Sequence, residues 1–245
     1  MSSQQEQEAK EQCIELIHEA KAKGDTTFHL TNNFILRALP DQIRTLKSTL
    51  QILHVDNNYE MKSLPPAIGE LTQLRWLNVG YNKLTELPTE IGRLTRLERL
   101  HCNNNKIAFL PLEIWSLREL EELRCDSNAL QALPTGVLGM RRLREVTVDN
   151  NPLLTDAECD GADLYDLFPK LRTGDCANCR VRFQDYVVSC TFHTLPGCPA
   201  PVPIVHYTQS ESCMKQLMTR LASLGATPVS SPHKAIKEAD ADASA

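Results

Sequence analysis

The sequence predicts an α/β solenoid, in which short units stack side by side and each contributes one strand to a parallel sheet. The first observation is a Leu-Pro pair that recurs at spacings of 25, 23, 23 and 23 residues, at Leu39-Pro40, Leu64-Pro65, Leu87-Pro88, Leu110-Pro111 and Leu133-Pro134. The second is an apolar-x-apolar pattern, followed three residues later by Asn, that occurs six times. Units this short cannot bury their own apolar faces, so neighbouring units must cover them.

The second pattern assigns a short strand with one buried face to each unit. Its six copies are Phe28-x-Leu30-x-x-Asn33, Leu53-x-Val55-x-x-Asn58, Leu77-x-Val79-x-x-Asn82, Leu100-x-Cys102-x-x-Asn105, Leu123-x-Cys125-x-x-Asn128 and Val146-x-Val148-x-x-Asn151. The Asn amide at the end of each strand is expected to bond backbone groups at the bend. Cys102 and Cys125 occupy positions held elsewhere by Leu or Val, so we expect buried thiols that are not reactive.

A segment Leu-Pro-x-x-Ile/Val follows each of the first five Asn residues, and in the first four a Leu stands three residues further on, as in Leu87-Pro88-x-x-Ile91-x-x-Leu94. This spacing suits a short helical or extended return on the convex side of the solenoid. Together these features resemble the leucine-rich repeat family, of the 23-residue intracellular type with Leu-Pro in the return segment. The match runs from Phe28 to about Asn151, which is about half the chain. The resemblance implies about six repeats, a parallel sheet on a concave face, and a protein-binding function.

Residues 1–27 are predicted to form a helix that caps the first repeat. Its apolar stripe consists of Ala9, Cys13, Ile17 and Ala20 with Leu16 beside them, and Gly24 can close the helix. The alternative is a partner-binding helix. We favour the cap because the first strand follows immediately and a solenoid needs its apolar end covered.

Composition and charge restrict the compartment and the partners. The chain has 26 basic and 31 acidic residues, which argues against general nucleic-acid binding. It contains no apolar run long enough to span a membrane and no signal-peptide core, and its nine Cys lack the disulfide-rich flanks of secreted repeats. We therefore predict a cytoplasmic protein, with the nucleus as a second possibility, that is monomeric alone and binds no membrane.

Three further segments follow the repeats (residues 28–154). Residues 155–169 are predicted to form a C-terminal cap, residues 170–225 a cysteine module and residues 226–245 a disordered tail. Within the module, residues 186–192 alternate like a strand, and residues 210–224 have helical spacing.

The cysteine module has the features of a small zinc-ribbon-like domain. Cys176 and Cys179 are close enough in sequence to hold one tetrahedral zinc ion, and Cys213 opens the predicted helix as a third ligand. For the fourth ligand the residues leave His206 or Cys198 open, with Cys190 and His193 as weaker candidates. The alternative is a module of buried thiols without metal, which would have a very small core.

A second resemblance narrows this choice. Cys-x-x-Cys, the aromatic Phe183, Val-Pro-Ile-Val-His-Tyr and Ser-x-Ser-Cys213 are similar to the C-terminal module of small intracellular leucine-rich-repeat-containing proteins. The pattern of that family places another Cys four residues before the last one, where this chain has Gln209. Because Gln is a poor zinc ligand, the predicted zinc set is Cys176, Cys179, His206 and Cys213.

Residues that alternate with the buried strand positions line the concave face. Trp, Tyr and Arg dominate interface energetics, and several of them fall on neighbouring strands here. The predicted partner-binding site consists of His54, Trp76, Asn78, Tyr81, Arg99, His101 and Arg124.

The favoured function is a non-enzymatic adaptor or scaffold that binds a protein partner on the concave face, with intracellular signalling as the predicted setting. The resemblance also implies an alternative, the substrate-recognition subunit of a ubiquitin ligase. A Cys-dependent enzyme is a remote alternative, because the sequence has no Gly-rich phosphate loop, no paired carboxylates and no complete Cys/His/Asn set.

Overall fold

The computed structural model describes residues 3–32, 35–155, 174–175, 182–183, 187–208, 211–223 and 233–236. The chain divides into two compact units. The first comprises residues 1–131, 139–152 and 195–198, and the second comprises residues 132–138, 153–194 and 199–245. No helix within the described ranges is long and apolar enough to cross a membrane.

The N-terminal segment forms helix α1 (Ser3–Lys23). Its buried stripe is the predicted one, formed by Ala9, Cys13, Ile17 and Ala20. Leu16 departs from the prediction, since it is 45% exposed. Each residue turns about 100° around a helix, so a neighbour of the buried Ile17 points well away from the stripe.

A glycine ends α1, as the sequence predicts. Gly24 adopts a φ of 71°, which L-residues with a side chain rarely tolerate. Its N–H donates to Lys21 O (3.2 Å), and the N–H of Asp25 donates to Ala20 O (3.0 Å). These bonds satisfy carbonyl groups that the last helical turn would otherwise leave unpaired, and they direct the chain into the first strand.

The first unit contains a parallel sheet of six strands in the order β1-β2-β3-β4-β5-β7, which confirms the predicted sheet. The strands are β1 (Thr27–His29), β2 (Ile52–His54), β3 (Trp76–Asn78), β4 (Arg99–His101), β5 (Glu122–Arg124) and β7 (Glu145–Thr147). The central residue of every strand is buried, and these residues pair directly with one another across the sheet. Each repeat therefore stacks on the previous one without a change of register.

The Asn at the end of each strand fastens one repeat to the next. The amide of Asn105 donates to Val79 O in the previous repeat (2.9 Å) and to Cys102 O in its own (3.0 Å). Its side-chain oxygen accepts the N–H of Leu84 at 2.9 Å. The amides of Asn58, Asn82, Asn128 and Asn151 bond carbonyl groups of their own and the previous repeat in the same way, whereas Asn33 lies outside the described residues.

The return segments are 3-10 helices, at Asp41–Leu46, Pro66–Glu70, Thr89–Arg93, Leu112–Ser116 and Thr135–Gly139. In the first four, the proline of the Leu-Pro pair stands immediately before the helix in an extended conformation, with ψ of 145–150°. The stacking between returns is tight. A Cβ atom on Gly92 would lie 2.6 Å from the carbonyl oxygen of Glu113 in the following repeat, so only glycine fits there without movement of the backbone.

The second unit contains a four-stranded sheet in the order β12-β10-β11-β6, and a helix, α2 (Glu211–Ser223). Its strands are β6 (Leu133–Pro134), β10 (Val187–His193), β11 (Val202–Thr208) and β12 (His233–Ile236), and β8 (Gly174–Asp175) pairs separately with β9 (Arg182–Phe183). The predicted strand and helix are thus each found within about a residue. On α2, the buried Met214 and Leu217 pack with Leu138 and Met218.

Two features of this unit differ from the sequence interpretation. The last Leu-Pro pair, Leu133-Pro134, pairs in parallel with Ile204 and Val205 instead of serving only as part of a repeat. Within the segment predicted to be disordered, His233–Ile236 pairs antiparallel with β10. The predicted C-terminal cap, after Thr155, lies outside the described residues.

The Asn ladder predicts the effect of Asn105→Ala. The substitution leaves the backbone groups of Val79, Cys102 and Leu84 without their side-chain partners, and we expect the free energy of unfolding to fall by roughly 1–3 kcal/mol. Urea denaturation measures it. Asn103→Ala is the matched control, because Asn103 lies two residues away and its side chain makes none of these bonds. Equal losses in the two variants would contradict the role given to the ladder.

Candidate functional site

The parallel register brings the predicted partner-binding residues into two adjacent rows on the concave face. His54 pairs with Asn78, Asn78 with His101, and His101 with Arg124. In the next row Trp76 pairs with Arg99. Six of the seven predicted residues therefore lie on β2 to β5, and Tyr81 follows β3.

Four rings form a continuous row across β1 to β4, which we call the ring row: His29, His54, Trp76 and His101. His29 and His54 stack with centroids 4.9 Å apart, and Trp76 meets His54 edge-on at 4.7 Å. Trp76 also contacts His101 at 5.7 Å. Strand β3 lies between His54 on β2 and His101 on β4, so spacing along the sequence does not bring these two imidazoles together. The indole of Trp76 bridges that gap, a contact that pairwise spacing along the sequence does not reveal.

Trp76 lies at the centre of this arrangement. The guanidinium of Arg99 lies over its ring, 5.2 Å from the centroid. The indole Nε1 atom is buried and has no hydrogen-bond acceptor among the described residues. A donor of this kind normally has a partner when it is buried, so Trp76 has hydrogen-bonding capacity that the fold itself does not use.

Glu122 organises the charges beside the ring row. Its carboxylate accepts from Arg124 Nε (2.5 Å) and contacts His101 Nε2 (3.0 Å) and Arg99 Nε (3.7 Å). Arg124 also reaches Glu145, at 3.7 Å. The strand pattern alone places Glu122 on this face. The sequence does not reveal that Glu122 is the shared partner of Arg99, His101 and Arg124, because that role depends on side chains from two strands.

The two imidazoles at the centre of the face are neutral near pH 7. Desolvation lowers the pKa of His54, and the electrostatic effect of His29 lowers it further. The nearby Asp56 raises the pKa, but its effect is smaller. Desolvation also lowers the pKa of His101 and outweighs the opposing effect of Glu122. At the centre of the ring row, His54 and His101 therefore carry no charge near pH 7, whereas Arg99 over the Trp76 ring is a cation.

Tyr81 occupies an unusual backbone position. It has a φ of 55° and its side chain is 48% exposed. The equivalent positions in the other repeats also have positive φ, and they carry Asn or Ser, at Asn32, Asn57, Asn104, Ser127 and Asn150. Left-handed backbone is uncommon for a bulky residue, and such strain occurs at binding sites more often than elsewhere.

The predicted zinc site is not tested, because Cys176 and Cys179 lie outside the described residues. Cys213 is buried near the start of α2, and the described residues contain no group of three or more potential metal ligands. His206, the predicted fourth ligand, contacts two threonines here. Both of its ring nitrogens face threonine hydroxyls, Nδ1 with Thr135 at 2.9 Å and Nε2 with Thr191 at 2.6 Å. The zinc site stays a prediction, and its fourth ligand is unassigned.

One proton order pairs both ring nitrogens of His206 and also uses the contact of Thr135 with Val205 O. The single hydroxyl proton of Thr135 goes to Val205 O at 2.9 Å, so Thr135 accepts from Nδ1 of His206. Nε2 of His206 then carries no proton and accepts from Thr191 at 2.6 Å. Thr191 in turn accepts from Nε2 of His193 at 2.7 Å. Both imidazoles are buried and neutral, and every proton in this network is assigned.

Cys102 and Cys125 behave as the sequence predicts. Both are buried, and their thiols donate to Arg124 O (3.3 Å) and Thr147 O (3.2 Å) of the next strand. Burial, with a smaller effect of Asp126, raises the pKa of Cys102 to about 12. Burial also raises the pKa of Cys125 well above its usual range. Neither thiol is a nucleophile at neutral pH, since the thiolate is the reactive form.

Comparison with known proteins agrees with this geometry. Residues 67–159 match the family model described as leucine-rich repeat region. The leucine-rich repeat domain of the type III effector XopL is 24% identical over 58% of this chain and 50% of that chain, with a TM-score of 0.52. A leucine-rich repeat protein of Leptospira interrogans is 30% identical over 56% of this chain and 41% of that chain, with a TM-score of 0.47. The family match and the similarity to the XopL domain indicate the leucine-rich-repeat fold for the repeats.

The chain spans half or less of the length of these solved structures. No curated protein sequence matches it.

The proton order in the second unit predicts the effect of Thr191→Val. Valine has the same shape but cannot bond either imidazole, so two buried nitrogens lose their partner. We expect the free energy of unfolding to fall by roughly 1–3 kcal/mol, measured by urea denaturation. Thr219→Val is the control, because Thr219 is exposed and bonds only Lys215 O of its own helix. A loss no larger than that of the control would contradict the network.

The same network predicts instability in acid. Burial, with a smaller effect of His193, lowers the pKa of His206 to about 3, whereas an unfolded His titrates near 6.5. The contribution of His206 to the free energy of unfolding is therefore fully present above about pH 6.5. It is lost as the pH falls towards 3, because over this range only the unfolded chain takes up the proton. Urea midpoints measured against pH should show this decline, and His206→Asn should flatten it. The exposed His18→Asn is the control, and a slope that His206→Asn leaves unchanged would contradict this assignment.

Proposed function

We propose that this chain is a non-enzymatic interaction protein that binds a protein partner on the concave face of its leucine-rich repeats, with Trp76 at the centre of the site. The observation that carries the proposal is the contact of Trp76 with His54, His101 and Arg99 on neighbouring strands. Trp, Tyr and Arg contribute the largest binding energies at interfaces, particularly when they are clustered centrally.

The composition of the face favours binding over a structural role. The central residue of each strand belongs to the apolar core and points away from this face. The ring row is therefore not needed to build the core of the repeats. The rings hold one another in place through their contacts across β1 to β4. A surface that is ordered before binding loses little side-chain entropy when a partner arrives.

Two versions of this function differ in what happens to the partner. As an adaptor in intracellular signalling, the chain would hold one partner on the concave face and another through its C-terminal module. As the substrate-recognition subunit of a ubiquitin ligase, it would deliver the bound protein for degradation. Removing the chain from cells distinguishes them, since partner abundance rises only in the second case.

The double substitution Trp76→Ala with Arg99→Ala should abolish partner capture and leave the fold intact. Each large anchor is worth about 2 kcal/mol or more of binding energy at a central position, and neither residue belongs to the buried ladder. Affinity purification followed by mass spectrometry compares the partners retained by the wild-type chain and the variant. Thermal melting of the same preparations checks the fold.

The matched control is Leu16→Ala with Arg93→Ala, which removes one exposed apolar side chain and one exposed arginine away from the concave face. It should retain the partners of the wild-type chain. Retention of the same partners by Trp76→Ala with Arg99→Ala would refute the proposed site. So would a collapse of its melting temperature, since the two residues would then be structural.

A further inference from the structure

Charge is distributed unevenly along the concave face. On β1 to β4, we count the first and third residue of each strand and the second residue after it, which all face outward. These positions carry one acid, Asp56, and one base, Arg99. The corresponding residues of β5 and β7 carry four acids, Glu122, Asp126, Glu145 and Asp149, and one base, Arg124. The net charge of this end is therefore 1 − 4 = −3, whereas the end that holds the ring row is balanced.

Some of the carboxylates at this end have a basic partner and others do not. Glu122 and Glu145 share Arg124, and Glu122 also contacts Arg99. Asp126 accepts a hydrogen bond from the hydroxyl of Thr147 at 2.8 Å. Within the described ranges, neither Asp126 nor Asp149 has a basic side chain within ion-pair distance. Their negative charges therefore remain available.

The field of these two carboxylates acts on nearby groups. Burial is the main cause of the raised pKa of Cys102, and the negative charge of Asp126 raises it further. The pKa of Cys198 is raised in the same way by burial and then by Asp149. The two aspartates also follow adjacent strands, which lie about 4.8 Å apart. Like charges on neighbouring strands repel each other, and a cationic side chain placed between them would relieve that repulsion.

We propose that the partner presents a basic, extended peptide segment to this face, with Lys or Arg side chains against Asp126 and Asp149 and the rest of the segment along the ring row. This inference rests on the proposed function, because it specifies the chemistry of the partner at the same face. Charge complementarity selects such a segment: it meets the two uncompensated carboxylates at one end and the aromatic faces of the ring row at the other.

The dimensions of the sheet set the length of the segment. Six strands at about 4.8 Å spacing extend over roughly 24 Å. An extended chain covers about 3.3 Å per residue, so seven or eight residues reach from β1 to β7. An octapeptide is therefore long enough to contact the ring row and the acidic end together.

The test measures binding of fluorescein-labelled octalysine to the full chain by fluorescence anisotropy, with octaglutamate as the opposite-charge probe. The test variant is Asp126→Asn with Asp149→Asn, which removes two charges and keeps the side-chain oxygen that accepts from Thr147. The matched control is Asp41→Asn with Glu113→Gln, which removes two exposed acids from the 3-10 returns and changes the net charge equally.

Octalysine should bind the wild-type chain, and the Kd should rise with salt. The test variant should weaken binding by about fivefold or more, and the control variant by less than about twofold. Three results would overturn the inference: equal weakening by both variants, no octalysine binding, or preference for octaglutamate. Displacement of octalysine by calcium chloride beyond the effect of sodium chloride at equal ionic strength would also overturn it, because the aspartates would then form a cation site.

The proposed function can fail or survive independently of this inference. If the partners captured from cells are lost with Trp76→Ala and Arg99→Ala but retained by Asp126→Asn with Asp149→Asn, the face binds a partner that is not basic at this end. If both double variants retain those partners, the concave face is not the binding surface.

Discussion

The hydrogen bonds of the ladder asparagines are the constraint on which the repeats depend. Each amide bonds a carbonyl group of its own repeat and one of the previous repeat, as Asn105 does with Cys102 and Val79. A stack of weak strands, each three residues long, is thereby held at a fixed register. These buried backbone groups would otherwise lack partners at the bend, and an unpaired buried group costs as much as the bond itself contributes. Apolar burial supplies the driving force, whereas the asparagines determine which residues face each other.

Fixed register turns sequence spacing into surface rows. Because each strand pairs in step with the next, residues 23 or so positions apart become direct neighbours, as His101 and Arg124 do. The ring row follows from this geometry, and so does the accumulation of carboxylates on β5 and β7. Single substitutions at outward positions can therefore change the chemistry of the face while the buried column stays the same. This separation explains how one fold can bear an aromatic end and an acidic end on the same sheet.

The sequence predicts the repeats almost completely, because their period, buried alternation and Asn positions are local and repeated six times. It fails where contacts join distant segments. The pairing of Leu133-Pro134 with Ile204 and Val205 has no local signal, since the pair fits the repeat pattern equally well. The contacts of His206 with Thr135 and Thr191 likewise have no local signal, whereas its role as a zinc ligand stays a prediction. On the concave face, the row positions were predictable, whereas the bridging role of Trp76 depends on side-chain orientation that the pattern does not specify.

Glu122 shows that the concave face is not a set of independent positions. Its carboxylate contacts His101, Arg99 and Arg124 at once, so it holds both arginines near itself and leaves the aspartates of the acidic end without a basic partner. If Arg124 were free of Glu122, its guanidinium could turn towards Asp126, and the end of the face would lose much of its negative field. The polarity of the surface thus depends on one acid that occupies the basic groups nearest to it. Under the proposed function, recognition on this face is consequently a property of the whole charge arrangement, which the register of the repeats holds in place.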